Sequence, residues 1–163
     1  MKVIFLDVDG VLNSEIWNEN HKEEIIKGIL IDEDKVRLLK KVIIKTGAVI
    51  VLHSGWKYWF DKDIKPIKEE AKKFVEMLKK YDIAIYDVTP DFSTDEIRKT
   101  KKFSLVKAKE ILHWLKKHKE TEKWIVIDDL DLYNEEVRIN QLITNNKTGL
   151  TQSDAEKIIS AFI

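Results

Sequence analysis

Three runs of consecutive apolar residues, 3–6, 48–52 and 124–127, show none of the polar alternation of a strand with one wet face. Such runs suit strands covered on both sides, as in a parallel sheet sandwiched between helices. Between them the apolar period becomes helical. Asp32 caps a helix whose Val36, Leu38, Leu39, Val42 and Ile43 trace one broad face and which stops at Gly47. A second helix begins near Pro66, shows Ala71, Phe74, Val75 and Leu78 on one face, and leads into a strand over 83–88. A third runs from a Ser104 cap and buries Ala108, Ile111, Leu112 and Leu115. A fifth strand is expected over 139–144, then a last helix capped by Ser153 with Ala155, Ile158, Ile159 and Phe162 inward. Residues 13–30 carry Trp17, His21 and apolar pairs without a clear period.

Strands alternating with amphipathic helices predict an α/β fold. It is a doubly wound three-layer sandwich around a mostly parallel five-stranded sheet, with right-handed crossovers. With 163 residues and no repeats, low-complexity tracts or linkers, the chain reads as a single domain over 1–163. The loops at the strand ends must then carry specificity, and the longest are 55–65 and 88–103.

The first apolar run empties into Asp7-Val8-Asp9-Gly10, where a crevice opens at the carboxyl end of a parallel strand. Alternation sends Asp7 and Asp9 to the same side, and Gly10 lets the backbone turn sharply behind them. Two ionised carboxylates this close repel unless a cation is bound or one keeps its proton. Both remedies suit phosphoryl transfer. Mg²⁺ takes carboxylates, waters and substrate oxygens, and offsets repulsion between an anionic phosphate and an anionic nucleophile. Asp7 is then placed to attack phosphorus, and Asp9 to protonate the leaving oxygen and later deprotonate water. The alternative for an isolated pair is a strand simply ending at a turn. An EF-hand is excluded, because Leu12 stands where its loop needs Gly and Asn18 where it needs Glu.

Three further sites belong at the same edge of the sheet. Ser54, just past the second buried strand, offers a hydroxyl for a phosphate oxygen. Lys107 stands in the first turn of the third helix, where a cation opposes the helix dipole, so stability alone does not explain it. It is expected to point at Asp7 and hold a phosphate. Asp128 and Asp129 follow the strand at 124–127 directly and supply the carboxylates a Mg²⁺ site needs, with Asp131 as an outer or alternative ligand. Trp56, Tyr58, Trp59 and Phe60, interleaved with Lys57 and Lys62, either stack bases and hold a nucleic-acid backbone or pack the edge of the domain. His53 is expected to point away from Ser54, and His113 and His118 to lie on a helix surface.

In this order, Asp-x-Asp, Ser, Lys and Asp-Asp resemble the four motifs of the haloacid dehalogenase (HAD) superfamily of phosphohydrolases, over nearly the whole chain. Phe5 to Asn13, Thr46-Gly47-Ala48 leading to Ser54-Gly55-Trp56-Lys57, and 124–129 with Thr148-Gly149-Leu150-Thr151 look like the HAD domain of Swiss Army Knife RNA-repair proteins. In that family the position of Lys57 is usually Arg, and a second Ser often stands at Gly55. The resemblance implies a HAD-like Rossmannoid fold in which Asp7 is the nucleophile, Asp9 the acid/base, and Ser54 and Lys107 phosphate ligands. Mg²⁺ is implied on Asp7, on Asp9 through its backbone carbonyl, and on Asp128 with Asp129. The acid at the second motif position implies phosphatase rather than ATPase or dehalogenase chemistry. Neither 13–30 nor 55–65 is long enough for a large cap domain, so an open site is implied. It would admit a small ester or a bulky phosphorylated substrate such as a nucleic-acid end, with Trp56 and Lys57 as substrate contacts.

Composition narrows the setting. The 29 basic and 29 acidic side chains cancel, which leaves no bulk field to draw the chain onto nucleic acid or membrane. The absence of cysteine excludes disulfides, thiolate catalysis and Cys-ligated metals, and is compatible with a cytoplasmic protein. No run reaches the length of a signal peptide or membrane span, and nothing implies an obligate protein partner. Two rivals remain. A phospho-receiver domain would accept phosphate on an Asp from a middle strand and carry its lysine at a late strand end. A non-catalytic module could retain this fold, since fold does not prove activity.

Overall fold

The computed structural model describes residues 1–163 and centres on β1 (Lys2–Leu6). β1 is flanked by β2 (Val49–Leu52) and β4 (Lys123–Asp128), with β3 (Ile85–Val88) and β5 (Gln141–Ile143) at the edges. All four pairings are parallel, in the order β3-β2-β1-β4-β5, so the sheet is wholly rather than mostly parallel. The chain steps outward from β1 to β3 and then crosses to β4 on the other side of β1. That reversal is where ligands bind in open α/β sheets. In the register, Leu6 lies beside both Leu52 and Ile127, so Asp7, His53 and Asp128 leave three neighbouring strands at one level.

Covered on both faces, β1 contributes to two cores. Ile4 and Leu6 join Ile50, Leu52, Ile125 and Ile127 beneath α3 (Glu33–Thr46), α4 (Glu69–Lys80) and α8 (Gln152–Phe162). Val3 and Phe5 join Val51 and Val126 beneath α6 (Ser104–Lys117) and α7 (Glu135–Arg138). Phe5 meets the Trp114 ring edge-on at 5.4 Å. The architecture is the expected α/β sandwich, HAD-like in layout and without a large cap. Residues 13–30 hold only the short helices α1 (Glu15–Asn20) and α2 (Lys22–Ile26). The two long loops hold a 3-10 helix (Gly55–Trp59) and α5 (Asp95–Thr100). No helix is long and apolar enough to cross a membrane.

Several boundaries differ from the sequence reading. Pro66 does not open α4; it bridges Phe60, and the helix starts after Lys68. Ser104 is the first helical residue rather than the cap, a position held by Phe103 with helical dihedrals and no side-chain bond. The last helix is capped by Thr151 in a reciprocal pair with Asp154, two residues earlier than Ser153. The fifth strand is shortened because Ile139 and Asn140 still donate their N–H groups to carbonyls of α7. Gly149 explains the Thr148-Gly149 turn: at φ 68° it packs on the backbone of β1's loop, where a Cβ would stand 2.8 Å from the Asn13 carbonyl oxygen.

Candidate functional site

Asp7 extends the β1 alternation of Val3 and Phe5, Asp128 that of Val126, and both carboxylates point toward α6. From α6, Lys107 reaches back with Nζ 2.8 Å from Asp128 Oδ2 and 3.4 Å from Asp7 Oδ1, and all three side chains are buried. Burial would strip the charge from the lysine, but Asp7 and Asp128 reverse that and hold it above its ordinary range. Burial likewise opposes ionisation of Asp128, yet the hydrogen bond from His53 and the Lys107 charge keep it well below the usual carboxylate range. Asp7 is driven up by burial, which the lysine only partly offsets, with repulsion from Asp128 and Asp129 adding to it.

His53 was expected to turn away, and with respect to Ser54 it does. The same turn carries it to Asp128, with Nε2 2.9 Å from Oδ2. The alternation Val51 to His53 and Val126 to Asp128 puts both on the α6 face, so the signal was present. Burial lowers the imidazole to about 4, so it is neutral at physiological pH. Because an ionised Asp128 only accepts, Nε2 carries the proton, and the bare Nδ1 is the ring atom left buried without a partner. Asp128 Oδ1 in turn accepts the Leu130 N–H at 2.9 Å, which leaves one lone pair of that oxygen for a further partner.

Asp129 is half-buried and lies against Gly10. A Cβ on Gly10, whose φ is 78°, would meet Asp129 Oδ2 at 2.5 Å, so glycine is required by both backbone and space. Burial and the neighbouring Asp128 raise Asp129 to about 6. Asp7, Asp128 and Asp129 each offer a carboxylate oxygen, all within 4.8 Å of one another. This hard oxygen set, carrying more negative charge than Lys107 cancels, fits a dication such as Mg²⁺. The Asp9 carboxylate is not in that group. It is exposed and accepts Asn13 Nδ2 and Trp56 Nε1 at 3.0 and 3.1 Å. Asp131 is also elsewhere, paired with Arg138.

These residues open on a cavity of about 540 Å³ lined by Asp7, Asp9, Ser54, Lys107 and Asp129. Ser54 caps the 3-10 helix by accepting the Trp56 N–H. Ser104 also lines the cavity, so the start of α6 faces it. Among the eight helices α6 alone has no acidic residue in its first turn, which leaves its positive end free for an anion.

The predicted substrate contacts need correction. Trp56 does line the cavity, but it is 4 % exposed, its ring packed between Trp59 at 4.6 Å and Phe74 at 5.3 Å, which leaves no open face for stacking a base. Lys57 is buried and points away from the cavity, bonding Glu110 at 3.0 Å and the Pro90 carbonyl at 2.9 Å. Burial lowers this lysine and raises Glu110, each against the pull of the other. The cavity rim is made instead by Tyr58, Trp59 and Phe103, with Lys68, Arg98 and Lys101 around them. Lys68 Nζ stands 4.4 Å over the Trp59 ring, and Arg98 is held by Asp91 at 2.7 Å. Of these, Arg98, Lys101 and Phe103 belong to the long 88–103 loop, which its length alone marks in the sequence, and no local pattern marks Lys68.

Compared with known families, residues 3–155 match the model described as the HAD domain in Swiss Army Knife RNA repair proteins. No significant match was found among curated proteins or among solved structures.

Proposed function

The chain belongs to the HAD domain family of Swiss Army Knife RNA repair proteins, and from that membership and the geometry of its cavity we propose that it is a phosphatase acting through an aspartyl-phosphate. The observation that carries the reading is the convergence of Asp7, Asp9, Ser54, Lys107 and Asp129 on one cavity at the head of α6. In the first half-reaction a carboxylate oxygen of Asp7 bonds to phosphorus as the bond to the leaving oxygen breaks, and Asp9 gives that oxygen its proton. In the second, water attacks phosphorus, passes a proton to Asp9, and the Asp7–phosphate bond breaks. Ser54, the Lys107 ammonium and the Ser104 N–H at the start of α6 hold the phosphate oxygens through both steps.

Asp7, Asp128 and Asp129, with the backbone carbonyl of Asp9, are the groups that would hold Mg²⁺, which supplies charge neutralisation between phosphate and nucleophile. Aromatic faces at Tyr58, Trp59 and Phe103, ringed by Lys68, Arg98 and Lys101, favour a leaving group that is flat and further anionic. A phosphorylated nucleic-acid end has those properties. The test is Mg²⁺-dependent phosphate release from small esters, nucleotides, and 5′- and 3′-phosphorylated oligonucleotides, with Asp7→Asn as the blank. Release that the blank abolishes, highest on oligonucleotides, is expected. Silence across the panel would refute the phosphatase and leave a binding module.

A further inference from the structure

Asp9 is exposed, yet its carboxylate is gripped at both oxygens. Asn13 Nδ2 donates to Oδ1 at 3.0 Å and Trp56 Nε1 to Oδ2 at 3.1 Å. Both donors are themselves fixed. The Asn13 amide oxygen accepts the Gly10 N–H at 2.9 Å while its nitrogen also reaches the Leu30 carbonyl at 3.1 Å. The Trp56 indole is clamped between Trp59 and Phe74, and its backbone N–H is held by the Ser54 hydroxyl at 3.1 Å. An exposed aspartate with neither donor would sample several rotamers. Phe would keep an apolar, if smaller, ring in the Trp56 pocket; the only polar atom Trp adds is Nε1, and its N–H is spent on Asp9.

We infer that Trp56 is a positioning residue for the acid/base: its indole N–H holds the Asp9 carboxylate at the leaving-group side of the cavity, so that one turn sets both the phosphate hydroxyl of Ser54 and the direction of proton transfer. This role rests on the phosphatase reading above. It assigns Trp56 a task that base stacking would not need, and that packing alone would not need either. In the first half-reaction the Asp9 proton goes to the leaving oxygen, so misplacing Asp9 matters most when that oxygen leaves as a poor, strongly basic alkoxide. A p-nitrophenolate leaves without the proton.

The experiment compares Trp56→Phe with the native chain on an alkyl phosphate and on p-nitrophenyl phosphate, reading kcat/KM, which covers the steps through leaving-group departure. The alkyl ester is expected to lose about tenfold more than the activated ester, a fraction of the roughly 10²-fold or more that a general acid contributes. Asp9→Asn should show the larger version of the same bias, and in that background Trp56→Phe should add no further bias. Phe74→Leu loosens the same aromatic cluster without touching an N–H, and should affect both esters alike. Equal losses on the two esters in Trp56→Phe would overturn the positioning role while leaving the phosphatase intact. Equal losses in Asp9→Asn would overturn the acid/base assignment beneath it, and no turnover at all would overturn both. Should Trp56→Phe fail to fold, the indole N–H resonance of Trp56 decides. An upfield move in Asp9→Ala supports the bond, and an unchanged resonance overturns it.

Discussion

Replacing Lys107 with Met keeps most of the side-chain volume and removes the one ammonium between Asp7 and Asp128. At an effective dielectric of about 20, the contacts of 2.8 and 3.4 Å correspond to about 6 and about 5 kcal/mol of attraction before the cost of desolvating the ammonium. Breaking one side of such a buried arrangement typically costs about 3–5 kcal/mol net. The lower end applies, because Asp7 already sits well above the usual carboxylate range and relieves the repulsion by taking up a proton. For a domain of this size about 3 kcal/mol corresponds to a fall in Tm of about 6–12 °C. Thermal melting in chelator, followed by circular dichroism at neutral pH, measures it. The same substitution leaves three carboxylates without their cation, so added Mg²⁺ should raise the Tm of Lys107→Met by more than it raises the native Tm. A Tm within about 2 °C of native in chelator, a small fraction of the shift expected, would refute the pairing. A Mg²⁺ shift smaller than the native one would refute the shared site.

Gly10→Ala combines a left-handed φ, costing about 1–2 kcal/mol, with a Cβ that displaces the Asp129 carboxylate. It should lower Tm and weaken the Mg²⁺ response together, and an unaltered Mg²⁺ titration by calorimetry would contradict the placement of Asp129. Asp9→Ala should lower phosphate release by at least about 10²-fold and leave the Mg²⁺-induced Tm shift in place, because its carboxylate lies outside the metal group; loss of that shift would assign it to the metal instead. Asp129, raised to about 6 from an ordinary 3.8, makes the folded chain bind more protons than the unfolded one between those values. Metal-free stability should therefore fall as pH rises from about 4 to about 6, while the Mg²⁺-induced shift grows over the same interval. A Mg²⁺ shift that does not change with pH, measured by melting across pH 4–8, would exclude Asp129 as a ligand.

The residues that sequence located best are those whose position follows from a strand end. Asp7, Ser54 and Asp128 leave adjacent parallel strands, so an unalternating apolar run was enough to place them at one edge. Lys107 followed from the helix start. What escaped depended on which face a turn presents. In the 3-10 helix Trp56 packs against Trp59 and Phe74, and Lys57 turns to Glu110, away from the cavity that Gly55, Tyr58 and Trp59 line. A run of alternating aromatics and lysines carries no mark of that choice, so Trp56 and Lys57 read as surface. Arg98 and Lys101 escaped for a different reason. Their segment is tied down by tertiary bonds, Tyr58 hydroxyl to Asp91 at 2.8 Å and Arg98 to Asp91, which no local pattern encodes.

Several departures from local preference meet at the same edge. Most of the chain is locally consistent: α3, α5 and α8 have side-chain caps and acidic first turns, and β1 supplies alternate residues to two apolar cores. Against that background α6 starts without a side-chain cap and with a lysine where an acid would be favoured. Gly10 holds φ 78° against a carboxylate, His53 buries an unpaired nitrogen, and two carboxylates are driven above their ordinary range. Each costs stability, and none helps the packing of the cores. Features that weaken a fold singly and converge on one cavity are what a site under functional demand leaves behind. Lys107 makes the point most directly. Moved to the last turn of α6 it would favour the helix dipole and leave Asp7 and Asp128 without a cation; where it stands it opposes the dipole and reaches both.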